Sequence, residues 1–297
     1  MSQLRGFIYA ILSSAAFGFI PLFAVPSLQA GMNTSSVLFY RMFFSVLMTF
    51  ALLMGRRLSL RVSRRQLFIF AGLALLYTAS SLFLLESYLY LPSGVATTIH
   101  FLYPAFVTIV MGFLFKEKVS GFTWSMIFLS LVGVWLLSSS GHGGTVNLFG
   151  VFIVLITVFA YGSYLVVINR TSVRHLNSLV ITFYVLFFTM IFCGINLYAR
   201  GAELQMIPDL RTGANLLLLG IIPTLVSNLF LVLAVRTIGS TVTSVLGCME
   251  PVTAVVLGVT FLGEHLLFLQ YVGILIVLFT VASVILSRSV FSKKNPH

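Results

Sequence analysis

Apolar runs of about 20 residues, separated by short polar stretches, follow one another along the whole chain. A helix needs about 20 such residues to cross about 30 Å of hydrocarbon. The pattern predicts ten spans, at about 5–25, 34–54, 66–86, 94–115, 121–140, 147–168, 178–198, 214–235, 240–262 and 265–287. Most connections are short and the longest covers 199–213, so no soluble domain is expected. The first run follows Arg5 and precedes the small residue Ala30, as a secretory leader would, but its apolar stretch is too long for one and the chain reuses it internally. It is read as a span. The expected fold is all-α, integral to the membrane.

Composition narrows the function classes. The chain has 297 residues, 59% of them hydrophobic and only 8% charged, with a mean hydropathy of +1.10. Soluble domains carry about 25% charged residues, which excludes a soluble enzyme, a disulfide scaffold and a disordered chain. The net charge of +11 raises nucleic acid as a partner. That function needs basic residues gathered on a soluble face, and here they sit between spans, so no nucleic-acid partner is expected. Alternate segments hold Arg5; Arg56, Arg57, Arg61, Arg64 and Arg65; Lys116 and Lys118; Arg170 and Arg174; Arg236; and Arg288, Lys293 and Lys294. The opposite segments hold only Arg200 and Arg211, matched by Glu203 and Asp209. Basic segments stay in the cytoplasm, so both termini are expected there, in a multi-pass protein of the inner membrane. Cys193 and Cys248 fall inside apolar runs and read as small packing residues.

The chain also repeats itself. A shift of 144 residues lays Gly6, Ala16 and Gly18 on Gly150, Ala160 and Gly162, and Phe39-Tyr40 on Phe183-Tyr184. A shift of 147 lays Ser80 on Ser227, Pro104 on Pro251 and Glu117 on Glu264. The halves are 1–140 and 141–297, each with five spans, the second followed by a short basic tail. An odd number of spans makes the second half enter from the opposite side. Inverted repeats of this kind place a substrate site near the midplane between the halves.

Ala16-Phe17-Gly18 and Ala160-Tyr161-Gly162 open the two halves. Tyr88-Leu89-Tyr90-Leu91-Pro92-Ser93-Gly94-Val95-Ala96, Leu102-Tyr103-Pro104 and Phe115-Lys116-Glu117 follow in the first, and Met249-Glu250-Pro251 through Leu262-Gly263-Glu264 in the second. With these motifs, the chain resembles the EamA-type members of the drug/metabolite transporter superfamily. The resemblance implies export of amino acids, other metabolites or drugs. Lys116 departs from the small residue more often found before that Glu.

Charge inside a span is costly and points to function. Arg41, Glu250 and His100 qualify, and all three break the repeat, facing Val185, Tyr103 and Gly247. Charge confined to one half suits an asymmetric ligand. Arg41 and Glu250 also fit a buried ion pair that neutralises itself, and His100 a packing histidine. Tyr77, Tyr103, Tyr161, Asn228 and Phe17 complete the expected substrate site. Thr97, Thr108 and Met111 share a stripe with His100, and Ser80, Ser81, Leu84, Thr224, Ser227 and Tyr164 are further candidates. Pro104 and Pro251, each lacking a helical N–H, mark expected gating hinges. Glu117 and Glu264 fit span-end contacts, and Glu86 is expected to be solvated.

No phosphate-binding Gly-x4-Gly-Lys-Ser/Thr loop, His-Glu-x-x-His or Gly-x-Ser-x-Gly is present. Neither an enzyme nor a cofactor or metal is expected. The expected function is secondary transport of a small molecule such as an amino acid by alternating access, with the lipid bilayer as surroundings and a proton taken up at Glu250 as coupling ion. A drug-type exporter of aromatic or cationic compounds and an uncoupled facilitator or channel are the alternatives.

Overall fold

The computed structural model describes residues 2–87, 90, 96, 99–138, 147–201, 203–261 and 268–294. Among these, every regular element is helical. In the first half they are α1 (Ser2–Phe17), α2 (Ile20–Gln29), α3 (Thr34–Gly55), α4 (Arg64–Ser87), α5 (Tyr103–Phe113) and α6 (Gly121–Ser138). In the second half come α7 (Leu148–Arg170), a 3₁₀ turn (Ser172–His175), α8 (Ser178–Ala199) and α9 (Leu210–Gly220). A π-helical segment (Ile221–Val226), α10 (Ser227–Leu246), α11 (Met249–Phe261) and α12 (Phe268–Lys294) complete it. Among the described residues, six helical runs are long and apolar enough to cross a membrane: Gln3–Gln29, Thr34–Gly55, Arg64–Leu84, Leu148–Arg170, Ser178–Ala199 and Leu210–Leu246. Four shorter apolar helices accompany them among the described residues.

Side-chain caps start several helices. Asn33, Asn147, Asn177 and Asp209 each accept a backbone N–H of the following turn, satisfying donors the helix leaves free. The Asp209 carboxyl is held below its ordinary range, chiefly by the Thr212 N–H that donates to it.

The expected boundary between 235 and 240 falls at Gly239, where a φ of +82° kinks the chain inside α10. Glycine adopts that conformation without a Cβ penalty. The expected spans at 94–115 and 240–262 are broken internally. Turns at Phe101-Leu102 and Gly247-Cys248 precede α5 and α11. Pro104 and Pro251 thus stand in the first turn of a new helix, where a missing N–H costs nothing, instead of bending a continuous one.

Contacts between helices follow the repeat. α1 packs on α10 and α4 on α7, pairs that exchange when each half is replaced by the other; α3 packs on α8 and α6 on α12, pairs that map onto themselves. Two glycines fix the register. A Cβ on Gly18 would strike Thr253 and the Glu250 carbonyl, and one on Gly162 would strike Phe106. Gly18 and Gly162 are equivalent at the 144-residue shift, and Phe106 and Thr253 at the 147-residue shift. Between the halves, Ser13 Oγ donates to Ser227 O at 2.9 Å and Ser227 Oγ returns a bond to Ser13 O at 2.8 Å. The outer surface is rich in Phe and Leu, with Phe68, Phe113, Phe128 and Leu148 largely exposed.

Candidate functional site

The breaks before α5 and α11 meet where the Tyr103 side chain lies against Gly247. There, Phe17, Tyr103, Tyr161, Thr243, Gly247 and Glu250, with Ser13 and Ser14 of α1, line a cavity of about 10 Å³. That is room for about one water molecule, so the walls are closed on one another. Tyr103 and Tyr161 meet edge to face with centroids 4.8 Å apart. The Tyr103 hydroxyl occupies the space a side chain at position 247 would take. Glu250, in the first turn of α11, is half-buried, and among the described residues its carboxylate makes neither a hydrogen bond nor an ion pair.

Arg41 does not line this cavity. It is buried on α3, with Nε donating to Thr224 Oγ1 at 2.6 Å and a terminal nitrogen donating to Pro223 O at 3.4 Å. Both acceptors belong to the π-helical segment, whose widened turn displaces carbonyls from the regular ladder. Thr224 Oγ1 in turn donates to Leu219 O at 2.8 Å. Asn228 Nδ2 reaches Thr224 O at 2.8 Å and the Tyr77 hydroxyl at 3.2 Å, and the Tyr164 hydroxyl donates to Asn228 Oδ1 at 3.3 Å. Arg41 therefore ends a polar chain that runs through Thr224 and Asn228 to Tyr77 and Tyr164. The anticipated Arg41–Glu250 ion pair is absent among the described residues.

His100 stands behind the cavity wall, its ring centroid 5.5 Å from Tyr103 and 5.7 Å from Tyr161. Its Nδ1 lies 2.8 Å from Thr157 Oγ1, whose own proton is given to Val154 O at 2.6 Å. That arrangement assigns the ring proton to Nδ1, donating to Thr157. Thr108 bonds back to Pro104 O and Met111 is fully buried, so these two stripe positions pack. Thr97 and Glu264 lie outside the described residues, as do 88–89, 91–95 and 262–263 of the quoted motifs.

Ion pairs join the halves at both ends of the bundle. Glu117, after α5, pairs with Arg170 at the end of α7 at 3.1 Å, and Arg170 also stacks over Phe115 at 4.7 Å. At the opposite end Glu86 pairs with Arg200 at 2.9 Å. Glu86 is therefore not free in solvent, and it takes the arginine that the sequence matched with Glu203. Around the same end Tyr40 donates to Gln205 O at 3.0 Å and Gln205 N to Ser36 Oγ at 3.0 Å.

Reading by residue type passed over Thr157, Thr243, Ser13 and Ser14. Spacing held a signal for two of them: Thr157 precedes Tyr161 by one turn, and Thr243, Gly247 and Glu250 follow each other at four and three residues. Ser13 and Ser14 carried none, because small hydroxyls are common in packed membrane helices.

A bundle built from two alike halves, with broken helices meeting at its centre and a polar cavity between them, has the form of a membrane carrier. Residues 4–139 and 148–286 each match the EamA-like transporter family, and the chain belongs to that family as a multi-pass membrane protein with two EamA repeats. It is 26% identical over 215 residues to a Synechocystis protein called uncharacterized transporter sll1319, across 72% of this chain and 62% of that one. The match therefore spans less than two thirds of the relative. A crystal structure described only as that of a protein superposes with a TM-score of 0.81 at 16% identity, covering 97% of this chain and 98% of the other. At that identity the likeness concerns the fold alone.

Proposed function

We propose that the chain is a secondary transporter that exports a small amine-bearing metabolite, such as an amino acid, by alternating access across the inner membrane. The observation that carries this reading is the unpaired Glu250 carboxylate facing Tyr103, Tyr161 and Phe17 in a cavity between the halves. An acid among aromatic faces suits an ammonium group, which gains both a charge-assisted hydrogen bond and cation–π attraction. The same observation favours one second reading, export of aromatic cations, because among the described residues no guanidinium lines the cavity to select for a carboxylate. Arg41 acts in either case through Thr224 and Asn228 on the position of Tyr77 and Tyr164.

In this reading ten spans form two inverted five-span repeats with both termini in the cytoplasm. Segments bearing Arg56, Arg170, Arg174 and Arg236 then lie at the cytoplasmic end. The Glu117–Arg170 pair closes that end and the Glu86–Arg200 pair closes the other. A cavity of about 10 Å³ with both pairs formed fits an occluded state between two open ones. A proton exchanged at Glu250 supplies the coupling.

The test is a thermal-shift screen of the purified protein against amino acids, other amines and aromatic cations, followed by counterflow in proteoliposomes. A ligand of the folded state raises apparent stability. Saturable uptake accelerated by unlabelled substrate on the far side supports a carrier. Linear, unaccelerated flux identifies a channel and overturns the reading.

A further inference from the structure

A second and much larger cavity, of about 490 Å³, opens at the end of the bundle where α3 stops and α8 starts. Its size lies in the range of ligand pockets. Arg56, His175 and Arg236 line it together with the Ser178 hydroxyl, and Leu52, Leu229 and Leu233 form an apolar side. Arg236 is half-buried and its Nη1 donates to Ser178 Oγ at 2.5 Å. Arg174 Nη2 donates to the Arg236 carbonyl at 3.3 Å, which brings a further guanidinium beside the first.

Among the described residues, no acid stands beside the positive charge of this pocket. Glu86 and Glu117 are in ion pairs with other arginines and Glu250 faces the central cavity. Glu203 and Asp209 belong to the segment that follows α8, at the other end of the bundle. Two guanidiniums facing one cavity repel each other unless an anion lies between them, and their planar donor forks match phosphate oxygens. The leucines add the second half of the argument. A free phosphate gains nothing from Leu52, Leu229 and Leu233, whereas an acyl chain lies along them and out over the exposed apolar belt. Leu52 itself is 42% exposed.

We propose that this pocket binds an anionic phospholipid, with its phosphate between Arg56 and Arg236, a head-group hydroxyl on His175 or Ser178, and an acyl chain along the leucines. The occupant ties α3 of the first half to α8 and α10 of the second at one end of the bundle. Basic pockets between membrane helices are suited to such head groups.

The experiment measures thermal unfolding of the purified full chain in detergent micelles with added phosphatidylglycerol, phosphatidylcholine or soluble glycerol phosphate. The chain is taken as wild type, Arg56→Gln, Arg236→Gln and Arg57→Gln. Arg57 is exposed and does not line the pocket, so its variant controls for general attraction of acidic lipid to a basic surface. Phosphatidylglycerol should raise the wild-type Tm by about 3 °C, and phosphatidylcholine should not. The half-saturating concentration should rise about fivefold in Arg56→Gln and remain unchanged in Arg57→Gln. Arg236→Gln also loses the Ser178 bond, so a misfolded variant there leaves Arg56→Gln to decide. Equal weakening in Arg57→Gln, or none in Arg56→Gln, overturns the proposal. Stabilisation by glycerol phosphate equal to that by the lipid overturns the lipid assignment in favour of a soluble anion.

Discussion

Arg41 and Thr224 meet at 2.6 Å between the two halves, through a bond from a guanidinium Nε to a hydroxyl in the only π-helical turn among the described residues. The hydroxyl is committed onward to Leu219 O, so Thr224 accepts from one partner and donates to another. The arginine thereby satisfies carbonyl and hydroxyl groups that the widened turn displaces. Its charge shapes the element that holds Asn228, and through Asn228 the two tyrosines.

A double-mutant cycle isolates that bond. Arg41→Ala and Thr224→Val should each lower thermal stability, and their coupling should be about 1.5–3 kcal/mol, the range for a hydrogen bond to a charged group. Arg41→Lys should recover part of the stability and little of the transport, because a single ammonium cannot reach both Thr224 Oγ1 and Pro223 O with a fixed fork. Additive single effects would mean that Arg41 acts elsewhere.

Glu250 is tested by its amide. Glu250→Gln keeps the shape of the protonated acid and removes proton release. Exchange of an amine substrate between two sides of a proteoliposome should weaken, because the amide offers no charge to the ammonium group, and the exchange that remains should no longer respond to a pH gradient. Wild-type transport that ignores the gradient would remove the proton from the mechanism.

The contact between Tyr103 and Gly247 offers a rescue experiment. Gly247→Ala puts a methyl group where the Tyr103 hydroxyl lies, an overpacking that costs about 1–3 kcal/mol. Tyr103→Phe removes the clashing oxygen, so the double variant should be more stable than Gly247→Ala alone. Absence of rescue in a melting assay would show that the loop before α11 cannot take a side chain for another reason.

The two ion pairs between halves should act in opposite directions. Glu117→Gln should increase labelling of cysteines near the end that carries Arg170, and Glu86→Gln should increase it at the end that carries Arg200. Partly exposed pairs contribute about 0.2–1 kcal/mol, so shifts of up to about fivefold in reactivity are expected. Equal changes at both ends would point to loosened packing instead of gating.

Orientation is checked on single cysteines. Positions Leu60 and Ser172 should react only from the cytoplasm and Gln205 only from outside, as the distribution of basic residues requires. Reversal would move the Glu117–Arg170 pair to the outer face.

Hydropathy determined that this chain is a membrane bundle, because a long apolar helix leaves lipid no polar backbone to solvate, and the requirement is local to each run. The duplication was equally legible. Gly18, Gly162, Pro104 and Pro251 recur at fixed shifts, and the sequence alone pairs them. What they touch was not legible. That Gly18 seats on Thr253 while Gly162 seats on Phe106 depends on how the halves dock, a contact between residues far apart in the chain. The same holds for the charges. Residue type marked Arg41, Glu250 and His100, since each is costly in lipid, and the structure then gave them three different surroundings. Arg41 is spent on a π-helical turn, His100 on Thr157, and Glu250 alone faces the central cavity. A composition cannot distinguish these, because partners for a buried charge come from whichever helix packs against it, and packing is decided only when all the helices are in place.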